Sequence, residues 1–424
     1  MINENFPKVL IVGTTPYSPN ESSRALDTYF HNWPKEKLAM VYSNNVIPPN
    51  DFCGSYFRIT DVEMFKRIFN KKNKAGNPII FEKSTTFQNN ENNKKIIKLL
   101  KKKTFIRYYL RKFIWKKKRW FSNSLERWVL DFNPDIIYIC FSDDYFILDI
   151  AYYFSQKLCL PTIAQIGDDY FFKKYSLLMK PYISIYKKLF CKIMSQDGFG
   201  VYISDKLTNK YNSFFKKQGF TVFLSSDINP SLSNGPINFE FNYFGKINLG
   251  RDRSLMLLGD ALKAINPSFV LNVFCNSISK YKFKHLQKHN CVYRGFLEHN
   301  KVVAKMSSGS FNIIASGFSK KDIESARYSL STKVADSLAS YGPIIAIGPV
   351  GDGAIDFLIE KKCAIIIDGP KIDSTKLSSE IMNLDSLKNK IKIAQKTFLQ
   401  LNDNKQNRER FETSCFYLAS SFNK

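Results

Sequence analysis

Tyr328-Ser-Leu-Ser-Thr-Lys333-Val-Ala-Asp336-Ser-Leu-Ala-Ser-Tyr-Gly342-Pro343-Ile-Ile-Ala-Ile347 reads as a short polar loop, a helix, a Gly-Pro break and a buried strand. A helix start presents unpaired backbone N–H groups and a partial positive charge, which suit a phosphate. Ser329, Ser331 and Thr332 add hydroxyl donors, and Lys333 adds a point charge. Asp336 follows Lys333 by one turn on the same helix face, where a carboxylate accepts hydrogen bonds from sugar hydroxyls. Phosphate donors beside a sugar acceptor describe a cradle for a nucleotide sugar. An ordinary helix leading into a core strand accounts for the same pattern.

Outward from this stretch, the same segment resembles the donor-site signature of the GT-B glycosyltransferases, particularly the family 4 (group 1) type. There a loop Ser-x-Pro-x-Lys-x-x-Glu precedes Tyr-Leu-Ala-x-Gly-x-Pro-Val. Ser329, Lys333, Asp336 and Pro343 fall in register, with Gly342 beside Pro343. Ser331 stands at the usual Pro and Asp336 at the usual Glu, while Tyr328 occupies a position that is often acidic. The resemblance implies an α/β protein of two doubly wound, parallel-sheet (Rossmann-like) domains facing a cleft. It implies a nucleotide diphosphate-sugar as donor, with Gly245, Lys246, Arg251, Tyr328, Ser329, Ser331, Thr332, Lys333 and Asp336 around it. Asp336 is then the ribose ligand, and Gly13 faces the acceptor.

The rest of the chain alternates strands and helices, which gives parallel sheets covered on both faces. Lys8-Val-Leu-Ile-Val-Gly13 predicts a strand ending in a tight loop, and no G-x-G-x-x-G follows it. Further strands are expected at 37–42, 56–60, 134–140, 161–166 and 200–204. After a Ser/Asn/Pro/Gly-rich linker come others at 241–244, 270–274, 291–294, 311–315, 344–347 and 364–368. The expected organisation is an acceptor-side domain over 1–225, a linker over 226–240 and a nucleotide-sugar domain over 241–385. C-terminal helices over 386–424 complete it, the last crossing back to the first domain. Gly167-Asp168-Asp169-Tyr170 follows a strand end, where ligands bind in such sheets. Asp168 or Asp169 is the candidate acid/base group for an acceptor hydroxyl, or else the cap of a helix over 169–178.

Composition sets further bounds. The 424 residues suffice for two or three domains, and no apolar run reaches the roughly 18 residues of a membrane span. The start of the chain lacks a signal-peptide core, so a cytoplasmic protein is expected. Eight scattered cysteines form no C-x-x-C pair, and Asp-x-Asp is absent, so no metal requirement is expected. His285 and His289 have helical ligand spacing but stand among lysines.

The net charge of +26 is uneven: between Lys94 and Arg119 there are thirteen Lys or Arg and no acid. Apolar residues from Ile106 onward recur at three and four residues, predicting a basic amphipathic insertion over about 90–121. Such a helix suits an anionic membrane surface, and Lys173 to Lys192 extends the same character. A solvated basic face over a core stripe is the plainer account. No nucleic-acid motif accompanies the charge, so nucleic acid is disfavoured.

The functional expectation is metal-independent transfer of a sugar to a lipid-linked or saccharide acceptor, as in bacterial capsule or O-antigen assembly. It is placed at the inner face of the cell membrane, with no permanently bound cofactor. A sugar-nucleotide 2-epimerase of the same fold, and a non-catalytic basic scaffold binding membrane or nucleic acid, are the alternatives.

Overall fold

Short runs of Val, Ile and Phe closed by Gly, Pro or Asn form the strands of two sheets, buried on both faces as parallel sheets require. The computed structural model describes residues 6–18, 25–49, 51–81, 104–230, 236–401 and 404–422. The chain divides into two units, Met1–Thr221 with Arg408–Lys424, and Val222–Asn407.

The first unit holds eight strands: β1 (Val9–Val12), β2 (Leu38–Tyr42), β3 (Ser55–Arg58), β4 (Asn77–Pro78), β5 (Ile136–Cys140), β6 (Thr162–Ile166), β7 (Gly198–Tyr202) and β8 (Gly219–Thr221). Their order is β4-β3-β2-β1-β5-β6-β7-β8, parallel except for the antiparallel edge pair β3–β4. Phe411, on the last helix (Asn404–Phe422), packs its ring against Tyr29, Phe30 and Tyr138, so the end of the chain completes this unit's core.

The second unit holds β9 (Asn238–Phe244), β10 (Leu271–Phe274), β11 (Cys291–Gly295), β12 (Ser310–Ala315), β13 (Ile344–Ile347) and β14 (Ile365–Ile367), all parallel. The order β11-β10-β9-β12-β13-β14 is the 3-2-1-4-5-6 arrangement of the Rossmann fold. The expected fold class of two doubly wound parallel α/β units is borne out. Both orders reverse beside the first strand, between β1 and β5 and between β9 and β12.

The basic insertion is described only in its second half. Residues 90–103 lie outside the described residues; helices span Phe105–Ile114 and Lys117–Trp120. Trp115, Trp120 and Tyr108 are buried in the first unit's core rather than turned to a membrane. Trp115 stacks on Phe146 at 3.8 Å between ring centres, and the Trp120 indole donates to Asp149 at 2.9 Å. With the indole N–H groups satisfied inside, the large aromatics gain more from the core than from an interface. No helix among the described residues is long and apolar enough to cross a membrane.

Candidate functional site

In a doubly wound sheet the ligand crevice lies beyond the carboxyl ends of the strands where the order reverses. In the second unit β9 delivers Gly245 to that point, at φ 116°. A side chain there is excluded twice over. The backbone conformation favours glycine, and a Cβ would sit 2.4 Å from Cε and 2.6 Å from Nζ of Lys333. Gly245 leaves the space that the lysine fills. The loop then turns through Leu249 (φ 59°) and Gly250 (φ 71°), which places Arg251 at the start of the helix Arg251–Ile265. A Cβ on Gly250 would meet the Asp322 carboxylate at 2.5 Å, so the turn is packed tightly.

Lys333 is the second residue of the helix Thr332–Ala339. Ser331 is its N-cap, with extended backbone, yet its hydroxyl makes no capping hydrogen bond. Other helices of this chain are capped by their own side chains, among them those preceded by Thr60, Ser204, Ser319 and Asp352. The Val334 N–H donates to the Ser331 carbonyl at 2.9 Å, but no cap side chain meets the N–H groups that open Thr332–Ala339, and Lys333 directs its side chain back toward that end. Its Nζ donates to the Tyr243 hydroxyl at 3.1 Å and lies 4.4 Å from the ring centre. The same hydroxyl donates to the Lys246 carbonyl at 2.6 Å and is hydrogen-bonded by Arg251. Burial pushes this phenol up to about 12, against the pull of Arg251, so it stays neutral at pH 7.

The Lys333 ammonium is held well below the ordinary lysine value, first by desolvation and then by the positive charges of Arg251 and Lys246. Cys275 and Asp336 act in the other direction. Part of the Lys333 side chain remains accessible while its charged end is enclosed. Nearby carboxylates are committed elsewhere. Asp252 pairs with Lys282 at 3.0 Å, and Asp352 accepts from the Ala354 and Ile355 amides at 3.0 and 3.2 Å. What remains is positive charge partly withdrawn from water, which a multivalent anion relieves.

The other donor-side residues surround this centre unevenly. Asp336 is buried, and its Oδ1 accepts from Ser226 at 2.8 Å, so the expected ribose carboxylate also anchors the segment before β9. Ser329 and Thr332 are partly exposed, and the Lys246 side chain is exposed. Tyr328 is partly buried with the Arg327 guanidinium 5.6 Å from its ring centre. Tyr243, whose hydroxyl ties the Lys333 and Arg251 side chains to the Lys246 carbonyl, reads in the sequence only as a strand residue. Its position two residues before Gly245 was the available signal.

In the first unit Gly13 is buried at the end of β1, where its N–H donates to Val41 at 3.1 Å. A Cβ there would lie 3.2 Å from Met40 Cε and Cys140 Cβ, so close packing is its evident constraint. Gly167-Asp168-Asp169-Tyr170 follows β6, but no helix spans 169–178. Turns lead to a 3-10 turn at Leu177–Met179 and the helix Lys180–Met194. Phe171 and Phe172 are drawn into rings of Phe190, Phe214 and Phe215, which competes with helical geometry. Asp169 Oδ1 accepts from the Phe172 amide at 2.9 Å and the Tyr211 hydroxyl at 3.0 Å, fixing that turn. Asp168 is exposed and accepts from the Tyr170 hydroxyl at 3.4 Å.

Asp143, overlooked in the sequence, follows neighbouring β5 and accepts from the Tyr108 hydroxyl at 2.5 Å. Burial first, then Asp168 and Asp143, raise the Tyr170 pKa well above its ordinary value. The strand-end criterion that selects Asp168 applies to Asp143 equally. Among the described residues no group of three or more His, Cys, Asp or Glu is placed to hold a metal. His289 bonds Asp260 at 2.7 Å, and His285 packs against Tyr281 with ring centres 4.1 Å apart and the planes tilted by 48°.

Compared by sequence, the chain matches no family model and no curated protein. By structure it resembles Anabaena HepE, solved with UDP and glucose, at a TM-score of 0.60 and 8% identity over 96% of this chain and 99% of that one. It resembles sucrose-phosphate synthase from Thermosynechococcus elongatus at a TM-score of 0.57 and 10% identity, covering 97% and 98% of the two chains. A variant of S. aureus TarM, solved with fondaparinux, alpha-GlcNAc-glycerol and UDP, gives a TM-score of 0.55 at 10% identity, covering 98% and 99%. At these identities the likeness is one of fold.

Proposed function

From the GT-B fold shared with these structures, we propose that the chain is a glycosyltransferase that takes its sugar from a nucleotide diphosphate-sugar. The observation that carries this reading is the convergence of the Lys333 and Arg251 side chains on the Tyr243 hydroxyl, which itself donates to the Lys246 carbonyl. They meet beside a helix start whose cap side chain stays unused, at the switch point of a Rossmann sheet.

In this mechanism the donor diphosphate lies against Lys333, Arg251 and the opening N–H groups of Thr332–Ala339, with Lys246, Ser329, Ser331 and Thr332 at its rim. As the bond from the anomeric carbon to the phosphate oxygen breaks, negative charge builds on the leaving diphosphate. Cations already fixed in a partly desolvated site stabilise that charge without reorganising. This is the neutralisation that a metal supplies elsewhere, so transfer proceeds without one. Asp336 receives the ribose hydroxyls in exchange for Ser226. In the first unit Asp168 accepts the proton of the acceptor hydroxyl, and Asp169 holds the turn that presents it. The acceptor is a saccharide or a lipid-linked sugar of the kind assembled into envelope polysaccharide at the cytoplasmic membrane face.

UDP is the first nucleotide to test, because HepE and TarM are solved with it. Calorimetric titration with UDP, GDP, ADP and CMP, with magnesium and with chelator, is expected to show saturable binding of UDP in both conditions. Loss of one charge-assisted contact in Lys333→Ala is expected to weaken binding about tenfold or more. Binding of none of the four, or equal binding by Lys333→Ala, would remove the donor site.

A further inference from the structure

The helix Phe105–Ile114 is set into the first unit with its arginines inward. Arg107 and Arg111 are both buried. Arg107 Nη2 donates to the two Asp144 oxygens at 3.2 and 3.3 Å, and Arg111 Nη1 donates to Asp144 Oδ2 at 2.5 Å. Arg111 Nε donates to Asp61 Oδ1 at 2.9 Å, an oxygen shared with the Trp115 indole at 2.7 Å. This network fixes the rotation of the helix about its axis. The consequence is an apolar stripe turned outward, with Phe105 45%, Ile106 55% and Phe113 45% exposed. A helix that merely covered a core would present these side chains the other way.

A second segment joins it. The Tyr109 hydroxyl donates to the Leu178 carbonyl at 2.9 Å, which brings the turn Leu177–Met179 alongside. Leu177 is 74% and Leu178 62% exposed. Both segments lie in acid-free stretches of sequence, 94–119 and 170–196, the second with six lysines. Lys116 and Arg119 lie 5.0 and 4.6 Å from the Phe113 ring centre, and Lys116, Lys117, Lys118, Lys174 and Lys180 are exposed.

We propose that this face seats the protein on an anionic lipid bilayer. Phe105, Ile106, Phe113, Leu177 and Leu178 enter the boundary between headgroups and acyl chains, and the flanking lysines pair with lipid phosphates. Three of the five apolar tips are aliphatic, which gives a bilayer what it needs and offers little stacking surface to the bases of single-stranded nucleic acid. A second copy of the chain is a poor occupant, because pairing this face with itself sets the exposed Lys116, Lys117 and Lys118 of one copy against those of the other. The surface belongs to the first unit and stands independently of the donor site.

The test is co-sedimentation of the full chain with vesicles of phosphatidylcholine alone or phosphatidylcholine containing phosphatidylglycerol, at low and high salt. Binding is expected only with the anionic lipid, weakening as salt screens the lysines. Phe105→Ser/Ile106→Ser/Leu177→Ser/Leu178→Ser removes exposed side chains that the core does not need, and is expected to weaken vesicle binding about tenfold or more. Its UDP titration should match that of the unaltered chain, while Lys333→Ala should sediment with vesicles normally. Equal binding to both vesicle types would overturn the proposal, as would full retention by the serine variant. So would a dimer that the serine variant dissociates, or retention of RNA by a chain that ignores vesicles.

Discussion

Each unit encloses a cluster of cations, and the two are built in opposite ways. In the first, Asp144 takes hydrogen bonds from both Arg107 and Arg111, and Asp61 takes another from Arg111. Desolvation pulls the Arg111 pKa down, but Asp144 and Asp61 outweigh it and the net direction is up. In the second, desolvation and the charges of Arg251 and Lys246 drive the Lys333 pKa down. Its ammonium donates to a neutral phenol, that of Tyr243. A buried cation with its own carboxylate is a structural part. A cation kept short of one is a site in waiting, and its discomfort in the free protein is energy that an anion recovers.

The harshest way to break this comparison is Asp144→Ala. It leaves two buried guanidinium groups without their shared acceptor, and removing one partner of a buried ion pair costs about 3–5 kcal/mol. The urea midpoint of unfolding should fall accordingly, with Asp144→Asn in between because an amide oxygen still accepts. A loss below about 1 kcal/mol would mean that the arginines find water, and the pairing would not be what sets the helix.

Lys333→Met should act with the opposite sign on stability. It keeps the length of the side chain and removes an enclosed charge, so the free protein is expected to gain on the order of 1 kcal/mol. For a unit of this size that raises Tm by about 2–4 °C. UDP binding should weaken about tenfold in the same variant. A stability gain together with an affinity loss is the signature of a functional charge; a loss of both would class Lys333 with the arginines of the first unit.

The sequence made this contrast only partly visible. Strands such as Val9–Val12, Ile136–Cys140 and Ile344–Ile347 are continuous apolar runs with Gly13, Pro134 and Pro343 at or near their ends, and pattern alone finds them. The edge strands Asn77–Pro78 and Gly219–Thr221 have too few residues to carry a pattern. Within the second sheet Asn242, Asn272 and Asn312 are buried, residues that discourage a strand assignment. Asn272 donates to Asn242 at 3.1 Å, a partner set by strand register, and Asn312 donates at 2.8 Å to Ser340, the C-cap of the Lys333 helix.

The Lys333 helix was legible because a Gly-Pro break and a strand frame it. Tyr243 was not, since its task depends on a lysine 90 residues away. The helix Phe105–Ile114 was found by its period but oriented by the rule that arginine faces water. Asp144 and Asp61, distant in sequence, reverse that rule.

The finest test is a count of protons. Folding lowers the Lys333 pKa, so between its folded and unfolded values the unfolded chain binds more protons and stability rises with pH. Stated from the other end, the contribution is complete above the unfolded value of about 10.4 and is lost as pH falls through the folded one. A bound diphosphate works against this shift, because its charge favours the ammonium. The complex therefore holds more protons than the free partners, and affinity falls as pH rises through the free protein's Lys333 pKa. The slope stays below about tenfold per pH unit, the limit for a single site. Calorimetry of UDP binding in two buffers of different ionisation enthalpy reads the uptake directly. Repeated in steps of pH from above the second phosphate pKa of about 6 toward the ordinary lysine value of about 10.4, it finds the range in which Lys333 titrates. A fraction of one proton taken up by the unaltered chain, and none by Lys333→Met, would assign the uptake to this lysine. Equal uptake in both would move the titrating group elsewhere and leave Lys333 charged throughout, already compensated like the arginines of the first unit.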